Sequence, residues 1–438
     1  MKTLLTTIIA ALLSVGCAML EGEQTTTDTS GSSGGNSGGG NSGGGGASNT
    51  LISSGVWGYG SDVITDSVGN IYVVGNTHTD ADTGNIHSGA ICDEGPSDSY
   101  NYPCRNVFVT KFDSNYSKQW TTQFGSASGH TESLYFANNL ISVDVSGNIY
   151  VRGATQGGIY GNVNSYDPNN GGDPWESFLV KFNNNGSEQW TVQQGPGGNM
   201  GGVANDNEGK IYVYSQSSGL TQYDTDATEI WNKSDSGYGF AVDSNDNIYS
   251  LAENSLTKYN SSGTQLWTQQ LFSDTSACSS WHGHNLAITV DSGGNVYVSG
   301  DNNLINQICD ASEDLGASED LDIYLIKFDS SGNQLWSTQF GENNRLDEVW
   351  DLTTDSSGNT FILAHHNSVS DMAAVRGVTL IKYDKNGNQV SLKELDTTNS
   401  SFGGITADES GGVYITGSTW DVGTEYVNEQ MTLSRLNF

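Results

Sequence analysis

Positive charge is scarce in this chain. Its 438 residues carry 16 Lys+Arg against 50 Asp+Glu, a formal net charge of −34. So acidic a molecule repels phosphate backbones and anionic lipid surfaces, which argues against nucleic acid as a partner. Proline numbers only 5, and charged residues make up only 15%. Catalytic signatures are missing too: there is no G-x-S-x-G, no H-E-x-x-H, no phosphate-binding glycine loop and no dinucleotide fingerprint. What the chain has instead is glycine, at 56 residues, and aromatics, at 10%. Glycine on that scale opposes helices, because it is costly in helix interiors. Low charge density with many aromatics opposes disorder over most of the chain. The composition predicts a turn-rich, all-β protein.

Residues 1–17 have the form of an export signal. Lys2 supplies the positive end, and Leu4 to Val15 form an apolar run too short to span a bilayer as a mature helix. The run Ser14-Val15-Gly16-Cys17 resembles the bacterial lipoprotein signal, whose cysteine after the cleavage site is lipidated. It departs from that signal in one place, with Ser14 where leucine is preferred and Leu13 one step earlier. An ordinary secretory signal with an incidental cysteine is the alternative. The resemblance implies lipidation at Cys17, and Ala18 rather than Asp implies the outer membrane. Residues 18–48 are expected to be a Gly/Ser-rich flexible linker, whose 21–48 stretch would span roughly 30 Å as a coil.

From residue 49 onward two phrases alternate, seven times each. The first is Asp66-Ser-Val-Gly-Asn-Ile-Tyr-Val-Val-Gly75, repeated as Asp144–Gly153, with variant copies starting at Asn205, Asp243, Asp291, Asp355 and Asp408. The second is Phe108-Val-Thr-Lys-Phe-Asp-Ser-Asn-Tyr-Ser-Lys-Gln-Trp120, with partners beginning at Phe178, Leu220, Leu256, Tyr324, Thr379 and Met431. Each reads as a hairpin: Asp or Asn opens the turn, Gly supplies positive φ, and flanking residues alternate apolar and polar. Two hairpins make a four-stranded sheet, and seven such sheets in sequence predict a seven-bladed β-propeller. These residues resemble the bacterial seven-bladed β-propeller repeat family (SBBP), with its Asp-x-x-Gly-Asn-x-Tyr-Val-x-Gly core and later Phe-x-x-Lys-Phe segment. The resemblance covers about residues 50–438, is weakest in blade three where Gln222 replaces the strand lysine, and implies a fold but no activity. The closing tryptophan is also similar to quinoprotein-type propeller repeats. Since blade seven ends after its third strand, residues 49–55 are expected to pair with 431–438 and supply its fourth strand.

Four cysteines follow Cys17. Local disulfides Cys92–Cys104 and Cys278–Cys309 are the economical pairing for an exported chain, each bracing a long loop. A metal site is the alternative, but no C-x-x-C spacing supports it.

The tight turns of a propeller lie on one face and the longer connections on the other. Insertions at 76–107, 154–177 and 301–322, with shorter ones at 365–377 and 418–430, build high walls on that second face. Blades three and four have only minimal links, Ser215–Gly219 and Glu253–Ser255. Trp120, Trp190, Trp231, Trp267 and Trp336 recur in the fourth strand and are expected to pack. Trp57, Trp175, Trp281, Trp350 and Trp420 break that pattern and map to the long-loop face, where they either meet a ligand or pin loops. All seven histidines map there as well, including His78, His87 and His130; His282, His284, His365 and His366 resemble fragments of metal sites, although no metal is assigned. Asp384-Lys-Asn-Gly-Asn388 lacks the closing acid of a calcium loop and reads as a turn.

The leading expectation is therefore a non-catalytic, lipid-anchored envelope protein, exported to the outer membrane and facing the periplasm or the cell surface. It would bind a protein or carbohydrate ligand through Trp175, Trp281, His282, His284, Trp350, His365, His366 and Trp420. A monomer is expected, with no cofactor and no membrane contact beyond its anchor. An enzyme of the lyase or hydrolase type, using histidines near the central channel, is one alternative; a purely structural envelope protein is another. Lys111, Lys181, Lys258, Lys327, Lys382 and Arg435 share one third-strand position and read as architectural. Acids crowd the insertions, Asp80, Asp82, Asp93, Glu94, Asp310, Glu313, Asp314, Glu319 and Asp320 among them, which would favour cationic or neutral partners.

Overall fold

The computed structural model describes residues 50–436 except 53, 83–90, 93–101, 104, 127–129, 133–138, 166–174, 195–200, 216–218, 235–236, 238, 253, 272–285, 302–321, 342–344, 369–376, 396, 398–399, 409 and 421–428. Contacts divide the chain into Met1–Gly46, which lies outside the described residues, and Ala47–Phe438, which holds every described strand. The signal at 1–17, with Cys17, therefore falls outside the description, as do Cys104, Cys278 and Cys309. Cys92 lies on a two-stranded ribbon, Ile91–Cys92 with Tyr102–Pro103, directly opposite Tyr102.

Among the described residues there is no helix, and the strands form seven antiparallel blades of four. The first strands of the blades, in chain order, are Tyr59–Thr65, Thr131–Glu132 with Ile141–Val143, Val203–Asn205, Gly239–Val242, Ala287–Val290, Arg345–Thr354 and Ser400–Ala407. Seven buried apolar clusters hold the ring, each joining one blade to the next. Burying these facing side chains is the main drive to the assembled ring, at about 25 cal/mol per Å².

The repeated aspartate earns its place in the first turn of each blade. Asp66 Oδ1 accepts the backbone N–H of Val68 at 3.1 Å and of Asn70 at 2.8 Å, while Oδ2 accepts Tyr72 Oη at 3.0 Å. The same tyrosine–aspartate bond recurs as Tyr150–Asp144, Tyr212–Asp206, Tyr249–Asp243, Tyr297–Asp291 and Tyr414–Asp408. Blade three's turn is opened by Asp206, one residue later than the Asn205 assigned from sequence, because the carboxylate must stand four residues ahead of Lys210 to cap its N–H.

The second phrase ties each of blades one to five to its successor. Trp120 Nε1 donates to Asn184 O (3.1 Å), Trp190 to Thr225 O (3.1 Å), Trp231 to Ser261 O (3.4 Å), Trp267 to Ser330 O (3.2 Å) and Trp336 to Lys385 O (3.1 Å). Each acceptor lies in the turn between the third and fourth strands of the next blade. The third-strand lysines reach the same turns: Lys181, Lys258 and Lys327 donate to the carbonyl their own blade's tryptophan uses, and Lys111 to the Asn184 side chain. Each ammonium also lies over a second-strand tyrosine, Lys258 at 4.8 Å from the Tyr249 ring centre and Lys327 at 4.7 Å from that of Tyr297. In blade three Gln222 does the lysine's work, donating to Ser261 O at 3.0 Å and to Tyr212 Oη at 2.6 Å.

The seam follows the same logic. Thr50–Ile52 pairs antiparallel with the last strand, Leu51 opposite Ser434, so the N-terminal strand completes blade seven. Blade seven consequently has no covalent turn between third and fourth strands to offer blade six, and blade six has Ser391 in the tryptophan register, opposite Lys382. At the junction of blades seven and one, Tyr116 (φ 66°) packs against Tyr414 with ring centres 6.3 Å apart.

Candidate functional site

Among the described residues the first hairpin of blade six is the longest, with strands Arg345–Thr354 and Thr360–Ser368. Residues 365–368, expected from sequence in an insertion, continue its second strand instead, because their partners Arg345–Glu348 extend the ladder beside them. A bulge between Val349 and Asp351 turns Trp350 onto His365, and the two rings stack with centres 4.2 Å apart and planes 5° from parallel. Trp350 also packs against the cluster joining blades six and seven, where Phe402 lies. Trp350 is half-buried, stacked on His365 and packed against that cluster, contacts that suit the loop-pinning alternative weighed beside ligand contact.

His365 and His366 do not converge. Successive strand residues point to opposite sides of a sheet, and the His366 ring turns over Gly377, where any Cβ would overlap its Nε2. It stands 3.3 Å from Thr379 Oγ1 through Nδ1 and 3.9 Å from Glu394 Oε2 through Nε2. A metal shared by adjacent imidazoles is therefore geometrically excluded, and among the described residues no group of three His, Cys, Asp or Glu is placed to hold one. Trp281, His282 and His284, like His87, lie outside the described residues. Trp175 sits half-buried just before strand Glu176–Phe182, and Trp420 half-buried just after strand Val413–Thr419; neither is brought to the Trp350–His365 pair by any described contact.

Near the blade-one insertion, Arg105 gathers two further histidines. Its Nε donates to His78 Nε2 at 3.1 Å, and its backbone N–H donates to His130 Nδ1 at 3.1 Å. Glu429, hydrogen-bonded by Ser418, has its carboxyl pushed up by burial, against the opposing pull of Ser418 and Arg105. Arg105 escaped the sequence reading because a single arginine in a loop carries no repeat signal.

The inner strands also hold two buried carboxylates that the sequence left unmarked. Asp62 accepts N–H groups of Val63 and, across to blade two, Leu140, both at 2.7 Å. Asp351 accepts those of Leu352 at 2.7 Å and, across to blade seven, Ile405 at 2.8 Å. Burial pushes the Asp62 carboxyl up to about 6. Burial, and then the nearby Asp62 charge, pushes Asp351 up to about 8. Gly403 and Gly404 pass beside Gly60 and Asp62, where a Cβ on either would overlap blade one. The two acids are thus inter-blade ties at bulged inner strands.

None of the curated proteins matches the chain. Among solved structures, BamB from Moraxella catarrhalis aligns over 89% of this chain and 98% of its own, at 10% identity and a TM-score of 0.40. The C-terminal WD40 domain of Sif2 aligns over 89% and 99%, at 7% identity and a TM-score of 0.45. The family model for outer membrane protein assembly factor BamB matches residues 160–416, more than half of the sequence, and the chain belongs to that family.

Proposed function

We propose that this chain is a non-catalytic, lipid-anchored envelope protein that takes a protein partner on its long-loop face, at the hairpin of blade six. Family membership supports an outer-membrane setting and a protein-assembly role. The observation that carries the docking site is the hairpin itself: among the described residues its ladder runs furthest toward the long-loop face, stiffened by the Trp350–His365 stack. A rigid projecting element loses little conformational entropy when it is bound. A protein is favoured over a glycan because the matching family model is that of an outer membrane protein assembly factor. Anchoring through Cys17 and a flexible segment over residues 18–48 complete the proposal, which keeps the SBBP-like repeats as scaffold.

The test is site-specific photo-crosslinking in intact cells with the full chain. A photoreactive residue at Glu348 should capture a discrete protein partner, while one at Ser331, on the tight-turn face, should not. Capture at Ser331 alone, or equally at both, would contradict the assignment.

A further inference from the structure

Five Asn-x-Ser/Thr triplets occur in the sequence, at Asn115, Asn185, Asn232, Asn260 and Asn399, none with proline in the middle. That triplet is the acceptor motif for N-linked sugar in exported chains, where it is used on surface loops. A chain rich in asparagine and serine also produces such triplets by composition alone, so their place in the fold decides between them. Asn399 lies outside the described residues. The other four divide into two pairs.

Asn115-Tyr116-Ser117 and Asn185-Gly186-Ser187 occupy one register in consecutive blades, the turn between third and fourth strands. The residue that opens each turn does the capping. Asp113 Oδ1 accepts the N–H groups of Asn115 at 2.9 Å and Ser117 at 3.0 Å, and Asn183 Oδ1 accepts those of Asn185 at 3.0 Å and Ser187 at 3.1 Å. Asn115 and Asn185 thus join the turn through their backbone, and both are exposed, as are Ser117 and Ser187. Ser114 and Asn184, one residue earlier, lie against Gly69 and Gly147 of the blades' first turns, which sets both sites on the tight-turn face. The second pair is engaged within the fold. Asn260 holds the capping position of the same turn in blade four, where its Oδ1 accepts the N–H groups of Ser262 at 3.1 Å and Thr264 at 2.8 Å. Asn232 lies within the fourth strand of blade three and donates through Nδ2 to Thr221 Oγ1, on the neighbouring strand, at 2.7 Å.

We infer that Asn115 and Asn185 are N-glycosylation sites, each taking an oligosaccharide from a lipid-diphosphate donor. In the transfer Nδ2 attacks the anomeric carbon of the sugar. The C–N bond forms as the C–O bond to the diphosphate breaks, the lipid diphosphate leaves, and the Nδ2 proton passes to a base of the transferase. The inference rests on the export proposed above, and it is independent of docking at blade six. Both sites lie on the face opposite the long loops, so sugar there leaves the blade-six hairpin uncovered.

The experiment expresses the full chain in its own cells, separates the exported pool and maps its tryptic peptides by mass spectrometry. Peptides Phe112–Lys118 and Phe182–Lys210 should carry an oligosaccharide mass at Asn115 and Asn185. Ser117→Ala should strip the sugar from Asn115 with the asparagine still present, and Ser117→Thr should keep it. A second arm incubates the folded, sugar-free full chain with a lipid-diphosphate oligosaccharide and an oligosaccharyltransferase that modifies a synthetic Asn-Tyr-Ser peptide. Transfer should reach Asn115 and Asn185 and leave Asn232 and Asn260 bare. A chain retained in the cytoplasm would contradict the export reading, and the second arm would still decide the acceptor sites. Bare Asn115 and Asn185 in the exported pool, sugar persisting on Asn115 in Ser117→Ala, or transfer in the folded chain to Asn232 or Asn260 as readily as to Asn115 overturns the inference.

Discussion

Trp267 Nε1 donates to the carbonyl oxygen of Ser330, one blade further round the ring, at 3.2 Å. Lys258 Nζ donates to the same oxygen at 3.1 Å while lying over the Tyr249 ring. Four residue types of the two repeated phrases thus form one chain of contacts, from Asp243 through Tyr249 and Lys258 to Trp267 and the next blade. Trp267→Phe keeps a ring but removes the donor, and should cost about 1 kcal/mol. Trp267→Ala loses the ring as well and should cost about 3 kcal/mol. Urea unfolding of the full chain measures both; equal losses would mean that the hydrogen bond contributes nothing.

The turns make a paired prediction about backbone conformation. Gly387 has φ 83°, and a Cβ there would stand 2.8 Å from the Trp336 ring, so Gly387→Ala should destabilise by about 2 kcal/mol. Ala227 occupies the equivalent turn position of blade three at φ 63°. Ala227→Gly should therefore stabilise, by about 0.5–1 kcal/mol once the added freedom of the unfolded chain is subtracted. Opposite signs in urea midpoints are the expected outcome.

Ring closure can be made covalent. Leu51 and Ser434 are direct cross-strand partners, so Leu51→Cys with Ser434→Cys should form a disulfide at the seam. Calorimetry should show a higher midpoint for the oxidised than for the reduced variant, by about 2–4 kcal/mol of stability. Failure to form the bond would contradict the register of the closing strand.

The two inner carboxylates set a pH dependence. Both folded-state values, about 6 for Asp62 and about 8 for Asp351, lie above the ordinary 3.8, so the folded chain holds more protons at these sites than the unfolded chain. Their contribution is fully present below about pH 4 and fades as pH rises to about 8. The turn acids Asp224, Asp329 and Asp384 are held low by hydrogen bonds from their own turns and act oppositely, losing their contribution as pH falls below the ordinary carboxylate range. Stability should therefore be greatest in mildly acidic solution and decline toward pH 8. Asp62→Asn removes the like charge beside Asp351 and should flatten that decline; urea midpoints from pH 5 to pH 9 measure it.

The scaffold was legible because its chemistry repeats. Asp-x-x-Gly-Asn-x-Tyr is a turn capped by its own aspartate, and Lys with Trp marks a bond to the following blade, so seven copies spelled out seven blades and the missing last strand. The absence of a fourth-strand tryptophan from blade six, where Ser391 stands, made sense only afterwards, beside the open turn at the seam. Site residues repeat nothing. His365 and His366 looked like a pair in sequence, but strand geometry sends them to opposite faces, and Asp62, Arg105 and Asp351 needed neighbours from other blades to become visible.

The most direct test of the functional reading is the affinity of the partner captured at Glu348 for three forms of the full chain. Wild type and Trp267→Phe, whose change lies on the outer strand of blade four, should bind alike. Trp350→Ala, which releases the stacked hairpin of blade six, should bind at least about tenfold more weakly, a difference of about 1.4 kcal/mol. Equal affinity for all three, or an equal loss in both variants, would contradict docking at that hairpin.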